Sequence, residues 1–293
     1  IAREKSDPFD VKLIREVIKP KAAVARMEGD YGYVRLSAFN EKATDEVAIA
    51  IQGLKAKNPN MKGLVFDLRN NPGGLLDQAV GVADLFLEGG EVVSQRGRDP
   101  RDIERYNARP GDILGGLPLV VLVNTGSASA AEIVAGAVQD RNRGEVVGLT
   151  TFGKGSVQTV IPLPSNTGGA LKLTTARYYT PSGRSIQKTG IDPDLEVAAS
   201  REQAELIASR SFQFSEASFR NALNAEEGKE RRGAHQPAEA PPVGFDDEKD
   251  DFQLKRALDV LKYGSVAATP KMPKPSARLA DATKAAPKTE AKK

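Results

Sequence analysis

The chain has 293 residues, 40% of them hydrophobic and 28% charged, an ordinary globular composition with enough length for one large domain or two small ones. Lys and Arg number 42 against 39 Asp and Glu, a formal charge of +3, divided as 25 against 24 up to residue 200 and 17 against 15 beyond it. Neither part is basic enough to point to nucleic acid or an anionic membrane surface. Cys is absent, and the one His, His235, lies in a polar, aperiodic stretch from Arg231 to Pro237. This excludes thiol nucleophiles and Cys/His zinc sites and leaves a Ser-His-Asp triad without a usable histidine. A hydrolase built on this chain must take its base from Lys or a carboxylate. No apolar run reaches the roughly 18 residues of a membrane span. The chain opens on Ile1, so its native start, with any signal peptide, is expected to lie upstream.

Phe9, Val11 and Leu13 alternate before Pro20, which predicts the last strand or two of a preceding domain and a linker over residues 1–20. Strand and helix signals then alternate over residues 31–197. Strands are predicted at Tyr31–Leu36, Gly63–Leu68 and Leu119–Val123. Helices are predicted at Ala43–Lys57 (with Val47, Ile49, Ile51 and Leu54 as its apolar positions), Leu75–Leu87 and Ala130–Gln139. Short apolar strands alternating with helices argue a parallel or mixed sheet covered by helices, an α/β fold. Residues 98–116, rich in charge, Gly and Pro, read as an exposed excursion. Beyond Ser200 the composition shifts to Ala, Pro, Lys and Glu. A largely disordered tail over 199–293 is expected there, interrupted by one amphipathic helix near 251–263.

Two short motifs carry little. Gly148 to Lys154 has the spacing of a P-loop, but Gly155 follows where magnesium binding needs a Ser or Thr hydroxyl. Ser185-Ile186-Gln187-Lys188 and Lys188-Thr189-Gly190 match penicillin-binding signatures only by sharing one lysine, in a Gly/Pro-flanked turn.

Three other segments carry chemistry. The strand 119–123 runs into Asn124-Thr125-Gly126-Ser127-Ala128-Ser129-Ala130-Ala131-Glu132, where small residues turn the chain into a helix. A hydroxyl at such a junction lies at a strand's C-terminal edge beside a helix N-terminus, which stabilises a forming oxyanion. Ser129-Ala130-Ala131-Glu132 is equally a capping-box pattern, so a nucleophile and a plain helix cap both fit. The second segment, Phe152-Gly153-Lys154-Gly155-Ser156-Val157-Gln158, places one lysine between two glycines at the start of an apolar strand. An amine acts as a base only when desolvation lowers its pKa from about 10.4 toward about 7 or 8, which costs about 3 to 5 kcal/mol. In an extended segment Lys154, Ser156 and Gln158 share a face, with Gln158 available to hold the neutral amine. A solvated turn lysine is the alternative. In the third, Asp67-Leu68-Arg69-Asn70-Asn71-Pro72-Gly73-Gly74, a buried strand ends in a glycine turn that suits either an oxyanion hole or an ordinary reversal.

Together with Tyr31–Arg35 and Tyr179–Gln187, these segments resemble, in order over residues 31–197, the carboxyl-terminal processing (tail-specific) proteases, Ser/Lys peptidases with a ClpP/crotonase-like core. The resemblance implies Ser129 as nucleophile, Lys154 as base and Gln158 as supporting amide. It also implies oxyanion donors from Ala130 and from Gly73 or Gly74. It divides the chain into the end of a PDZ domain with a linker (1–20), a protease domain (21–198) and a tail (199–293). It further implies acyl transfer without metal or cofactor, protein or peptide substrates with exposed C-termini, and a periplasmic or otherwise exported location. An oligomer or an adaptor is left open as a further partner. The rival class is a binding module on the same fold that grips C-terminal peptides without cleaving them. An acyl-CoA enzyme is a third class, for which the sequence has no nucleotide-binding signature.

Overall fold

A computed structural model describes residues 7–16, 21–99, 101–164, 168–208, 215–224, 238–246 and 249–272. In chain order its elements are β1 (Ala23–Glu28), β2 (Tyr31–Leu36), α1 (Ala43–Lys57), β3 (Leu64–Asp67), α2 (Leu76–Asp84), β4 (Gly90–Arg96), β5 (Ile103–Ala108), β6 (Leu119–Val123), α3 (Ala130–Asp140), β7 (Glu145–Gly148), β8 (Ser156–Pro162), β9 (Ala170–Tyr179), β10 (Leu195–Glu196), α4 (Arg201–Ala208) and α5 (Phe252–Tyr263). A short 3-10 turn, Glu216–Ser218, precedes the last stretch. His235 lies outside the described residues.

Six strands form one sheet in the order β1-β2-β3-β6-β7-β10, with β1 antiparallel to β2 and all other neighbours parallel. The apolar run of each central strand is divided between two layers by the period of two. Val34, Leu36, Leu64, Phe66, Leu119, Val121 and Val123 join α1, α2 and α3 in one core. Tyr33, Val65, Val120, Leu122 and Val147 pack instead with Phe252, Leu254, Ala257, Val260 and Leu261 of α5. Both faces are thus covered, which is why β3 and β6 read as continuous apolar runs. In α1 the buried positions are Ala43, Val47, Ile51 and Leu54, while Ile49 is exposed. Asp45 and Glu46 in its first turn and Lys55 and Lys57 in its last oppose the helix dipole.

Several expectations change. The supposed excursion 98–116 contains β5, which pairs with β4 in a second, antiparallel sheet ordered β5-β4-β9-β8. Alternation failed to mark β5 because most of its side chains are exposed. Residues 7–16 are exposed and form no strand. The segment after 199 contributes structure: Ala204, Ala238 and Ala240 pack with Leu149 and Ala198, and α5 is the second layer of the main sheet. Val266 and Met272 pack against that layer and Thr269 is buried, so the ordered part of this segment extends past the expected helix; residues 273–293 lie outside the described residues.

Candidate active site

The three chemistry-bearing segments converge where parallel strands β3 and β6 end, the edge at which open α/β sheets place their sites. β6 passes through Asn124–Ala128 into α3, and Ser129 at the junction takes φ 54°, ψ −113°. A non-glycine residue in that region stores roughly 1–3 kcal/mol of strain and persists only where its surroundings over-determine it. The surroundings do so. Ser127 is fully buried, accepts the Asn124 N–H at 3.0 Å and donates to the Leu68 carbonyl at 2.8 Å. Of the two serines in the run, Ser127 is therefore consumed as a staple and Ser129 is left half-buried at the bend.

The glycine turn closes against this junction. The Ala128 N–H donates to the Asn71 carbonyl at 2.9 Å, and buried Asn71 donates through Nδ2 to the Leu36 carbonyl at 2.8 Å. Gly73 has φ 96°, and a Cβ there would lie 2.7 Å from the Ala128 oxygen and 2.8 Å from Ser129 Cβ, so only glycine permits this approach. The Gly73 N–H is taken by Asn71 Oδ1 at 2.9 Å. Among the described hydrogen bonds the N–H groups of Gly74 and Ala130 have no acceptor. The turn begins at Arg69, whose guanidinium lies between the buried Asp67 and Asp251 of the α5 N-terminus, at 2.6 Å from each. Burial lowers the Arg69 pKa, but the hydrogen bonds to Asp251 and Asp67 outweigh it and raise it above the ordinary arginine value. Asp67 also accepts the Tyr33 hydroxyl at 2.7 Å; burial, and then that carboxylate, push the phenol up to about 12.

Glu132 joins the nucleophile segment to the lysine segment. It is fully buried in α3, and one carboxylate oxygen accepts the Ser129 N–H and the Lys154 N–H, each at 2.8 Å. The other accepts the Gly153 N–H at 2.6 Å and the Thr151 hydroxyl at 2.5 Å. Burial raises its pKa to about 7, against the four hydrogen bonds that favour the anion. The expected capping-box glutamate thus also fastens the lysine loop, a role hinted at by the one charge in the otherwise small and apolar Ala130–Val138 run.

Lys154 is half-buried between Gly153 (φ 92°) and Gly155, where a Cβ would lie 2.3 Å from the Gln187 nitrogen. Its amine donates to Ser156 Oγ at 3.0 Å and forms no hydrogen bond with Ser129. Gln158 is not brought to the amine. A register shift between Val157 and Gln158 breaks the alternation, and Gln158 is exposed on β8. The buried amide at this loop belongs to Gln187, which accepts the Gly155 N–H at 3.0 Å and donates to the Leu223 carbonyl at 2.9 Å. The Glu216 N–H donates to the Phe152 carbonyl at 2.9 Å, so the 215–224 segment braces the same loop.

Among the described residues no three His, Cys, Asp or Glu side chains are grouped to hold a metal. The site brings together a serine on a strained strand-to-helix bend, a lysine segment tied to it through one carboxylate, and N–H groups of Gly74 and Ala130 without an acceptor among the described hydrogen bonds. The model of peptidase family S41 matches residues 30–197, and the chain belongs to that family. It is 47% identical over 257 residues to a carboxy-terminal-processing protease of Bartonella bacilliformis, covering 87% of this chain and 57% of that protein. A protein described as a CtpA-like serine protease of Staphylococcus aureus is 37% identical over 201 residues, covering 68% of this chain and 40% of the other. Among solved structures the photosystem II D1 C-terminal processing protease matches with TM-score 0.53 and 42% identity, over 57% of this chain and 42% of that one. The chain thus spans 57% and 40% of the lengths of these two curated relatives.

Proposed function

We propose that the chain carries the catalytic unit of a serine endopeptidase that cleaves protein substrates near their C-termini through an acyl-enzyme. Ser129 is the nucleophile and Lys154 its base. The neutral amine of Lys154 takes the Ser129 proton as Oγ attacks the scissile carbonyl, and the oxyanion is held by the N–H groups of Ala130 and Gly74. The ammonium returns the proton to the leaving amine, and a water deprotonated by the same amine then hydrolyses the ester. To reach Ser129 the amine leaves Ser156, a rotation within a four-carbon side chain. The observation that carries this reading is Glu132, whose one oxygen accepts the backbone N–H of both Ser129 and Lys154 and so fixes nucleophile and base segments to a common point. A location outside the cytoplasm, a PDZ domain ending within residues 1–20 and recognition of free C-termini belong to the same reading, by likeness to processing proteases. No helix among the described residues is long and apolar enough to cross a membrane.

The test is covalent labelling by an acylating probe together with cleavage of a tailed substrate. Label on Ser129, and loss of both labelling and cleavage in Ser129→Ala and Lys154→Ala variants that keep their melting temperature, are the expected results. Full turnover by Lys154→Ala would overturn the dyad. A folded, unlabelled wild-type chain that binds C-terminal peptides would make it a binding module.

A further inference from the structure

We propose that Asp251, at the start of the C-terminal helix, is a positioning residue for this site: through Arg69 it holds the Gly73/Gly74 turn in register with Ser129. The inference rests on the serine-peptidase reading above. Arg69 and Asp251 are far apart in the chain, yet both Asp251 oxygens engage the guanidinium, Oδ1 with Nη1 at 2.9 Å and Oδ2 with Nη2 at 2.6 Å. Gln253 Oε1 adds a contact to Nη1 at 3.1 Å. The opposite edge of the guanidinium is taken by Asp67, through Nε at 3.0 and 3.1 Å and Nη2 at 2.6 Å. A planar fork gripped on two sides by carboxylates is fixed in orientation as well as in charge.

Holding the helix does not require this arrangement. α5 is already docked by Phe252, Leu254, Ala257, Val260 and Leu261. Its first turn needs only an acceptor for the Leu254 N–H, which Asp251 Oδ1 supplies at 3.0 Å and an Asn or Ser would supply as well. Neutralising Arg69 does not require it either, because Asp67 is in place. The Arg69 backbone N–H is held by Asp67 Oδ1 at 2.9 Å, and Asp251 fixes the far end of the same side chain, so the two carboxylates together set the residue from which the turn starts. The next residue, Asn70, has φ 56° and exchanges two hydrogen bonds with Asn124 on the nucleophile loop, each at 2.9 Å. Asn71 then accepts from Ala128 and from Gly73. A shift at Arg69 is passed along this ladder to the glycine N–H groups, and a misplacement of about 1 Å in a catalytic constellation costs about a hundredfold.

The variant Asp251→Asn keeps the helix cap and removes the carboxylate. On the full chain, kcat for a fluorogenic peptide is expected to fall at least tenfold with KM within about twofold, and Asp251→Glu to recover part of the loss. Leu258→Ala, which loosens α5 without touching Arg69, serves as the control: at an assay temperature well below its melting point it should keep kcat within about twofold of wild type. Should Asp251→Asn fail to fold, Gln253→Met carries the same test, with about a threefold fall in kcat expected. A kcat within twofold of wild type for the folded Asp251→Asn chain, or for Gln253→Met in its place, overturns the inference. So does a loss in Leu258→Ala as large as that in Asp251→Asn. Ser129→Ala run alongside separates the two readings, because turnover that survives it sinks the peptidase assignment and not merely the role of Asp251.

Discussion

The two halves of the site are held in different ways. On the Ser129 side the segments are interlocked: Ser127 bonds to Leu68, Ala128 to Asn71, Asn70 to Asn124, and Gly73 packs against Ser129 with no room for a Cβ. On the base side Lys154 is half-buried at the mouth of a largely exposed strand, and its amine rests on Ser156. Its backbone is tied down by Glu132 through the Lys154 and Gly153 N–H groups and by Gln187 through Gly155. In the proposed mechanism the nucleophile and its oxyanion donors are preassembled, whereas the base reaches Ser129 by a side-chain rotation from a loop that one carboxylate keeps in place. On the proposed mechanism, alignment is expected to be most sensitive at Glu132, where the two halves are joined.

The largest expected effect comes from cutting that link. Glu132→Gln sets an amide NH2 against N–H donors and frees the lysine loop from the bend. An NH2 facing buried N–H groups leaves them unsatisfied, at about 1 to 3 kcal/mol each in stability, and the lost register between the Ser129 bend and the Lys154 loop should lower kcat by about a hundredfold. The measurement is peptide turnover with the melting temperature recorded in parallel; a folded variant within threefold of wild type would show that the two halves align without the carboxylate.

A smaller effect follows from pH. The folded-state pKa of Glu132, about 7, lies above its ordinary 4.5, so between these values the folded chain holds a proton that the unfolded chain has lost. The associated stability is fully present below about pH 4.5 and is lost as pH rises to about 7, a decline of about 3 to 4 kcal/mol at about 1.4 per unit. Activity should move the other way through the same region, because the four donors around Glu132 call for the anion. Urea unfolding at pH 5 and pH 7.5 for wild type and Glu132→Gln measures the difference; parallel pH profiles for the two chains would remove Glu132 as the titrating group.

The smallest effect concerns the resting place of the amine. Ser156→Ala removes the hydroxyl that accepts from the Lys154 amine, and if that bond competes with the proposed contact to Ser129, kcat should rise by about twofold to fivefold at unchanged KM, while Gln158→Ala, on an exposed side chain, should stay within about twofold. A tenfold fall in Ser156→Ala would instead place that hydroxyl among the working parts of the base.

Most of what places Ser129 at a strand-to-helix bend was legible in the sequence. The apolar runs Leu64–Asp67 and Leu119–Val123, α1 at Ala43–Lys57 and the small-residue bend before Ala130 are local signals, with periodicity and turn chemistry contained within a dozen residues. The position of Gln158 was not legible locally, because the period of two holds only while the ladder is regular, and a register shift after Val157 turns this side chain outward in the structure. β5 and the 215–224 brace gave no apolar alternation to read, since their order comes from pairing with residues elsewhere in the chain.

The sequence by itself determined which chemistry-bearing groups are available: no cysteine, one histidine in a polar stretch, a serine at a strand-to-helix junction, a lysine between two glycines and a glycine turn after a buried strand. Tertiary structure alone decided which groups meet. The pairing of Arg69 with Asp251, of Glu132 with Lys154 and of Gln187 with Gly155 joins residues 182, 22 and 32 positions apart. Such contacts leave no periodic trace, because a hydrogen bond between distant segments constrains only the two groups that make it. Equally, α5 reads in isolation as an amphipathic helix. It becomes the second layer of the sheet only because Tyr33, Val65, Val120, Leu122 and Val147 present an apolar face that must be covered.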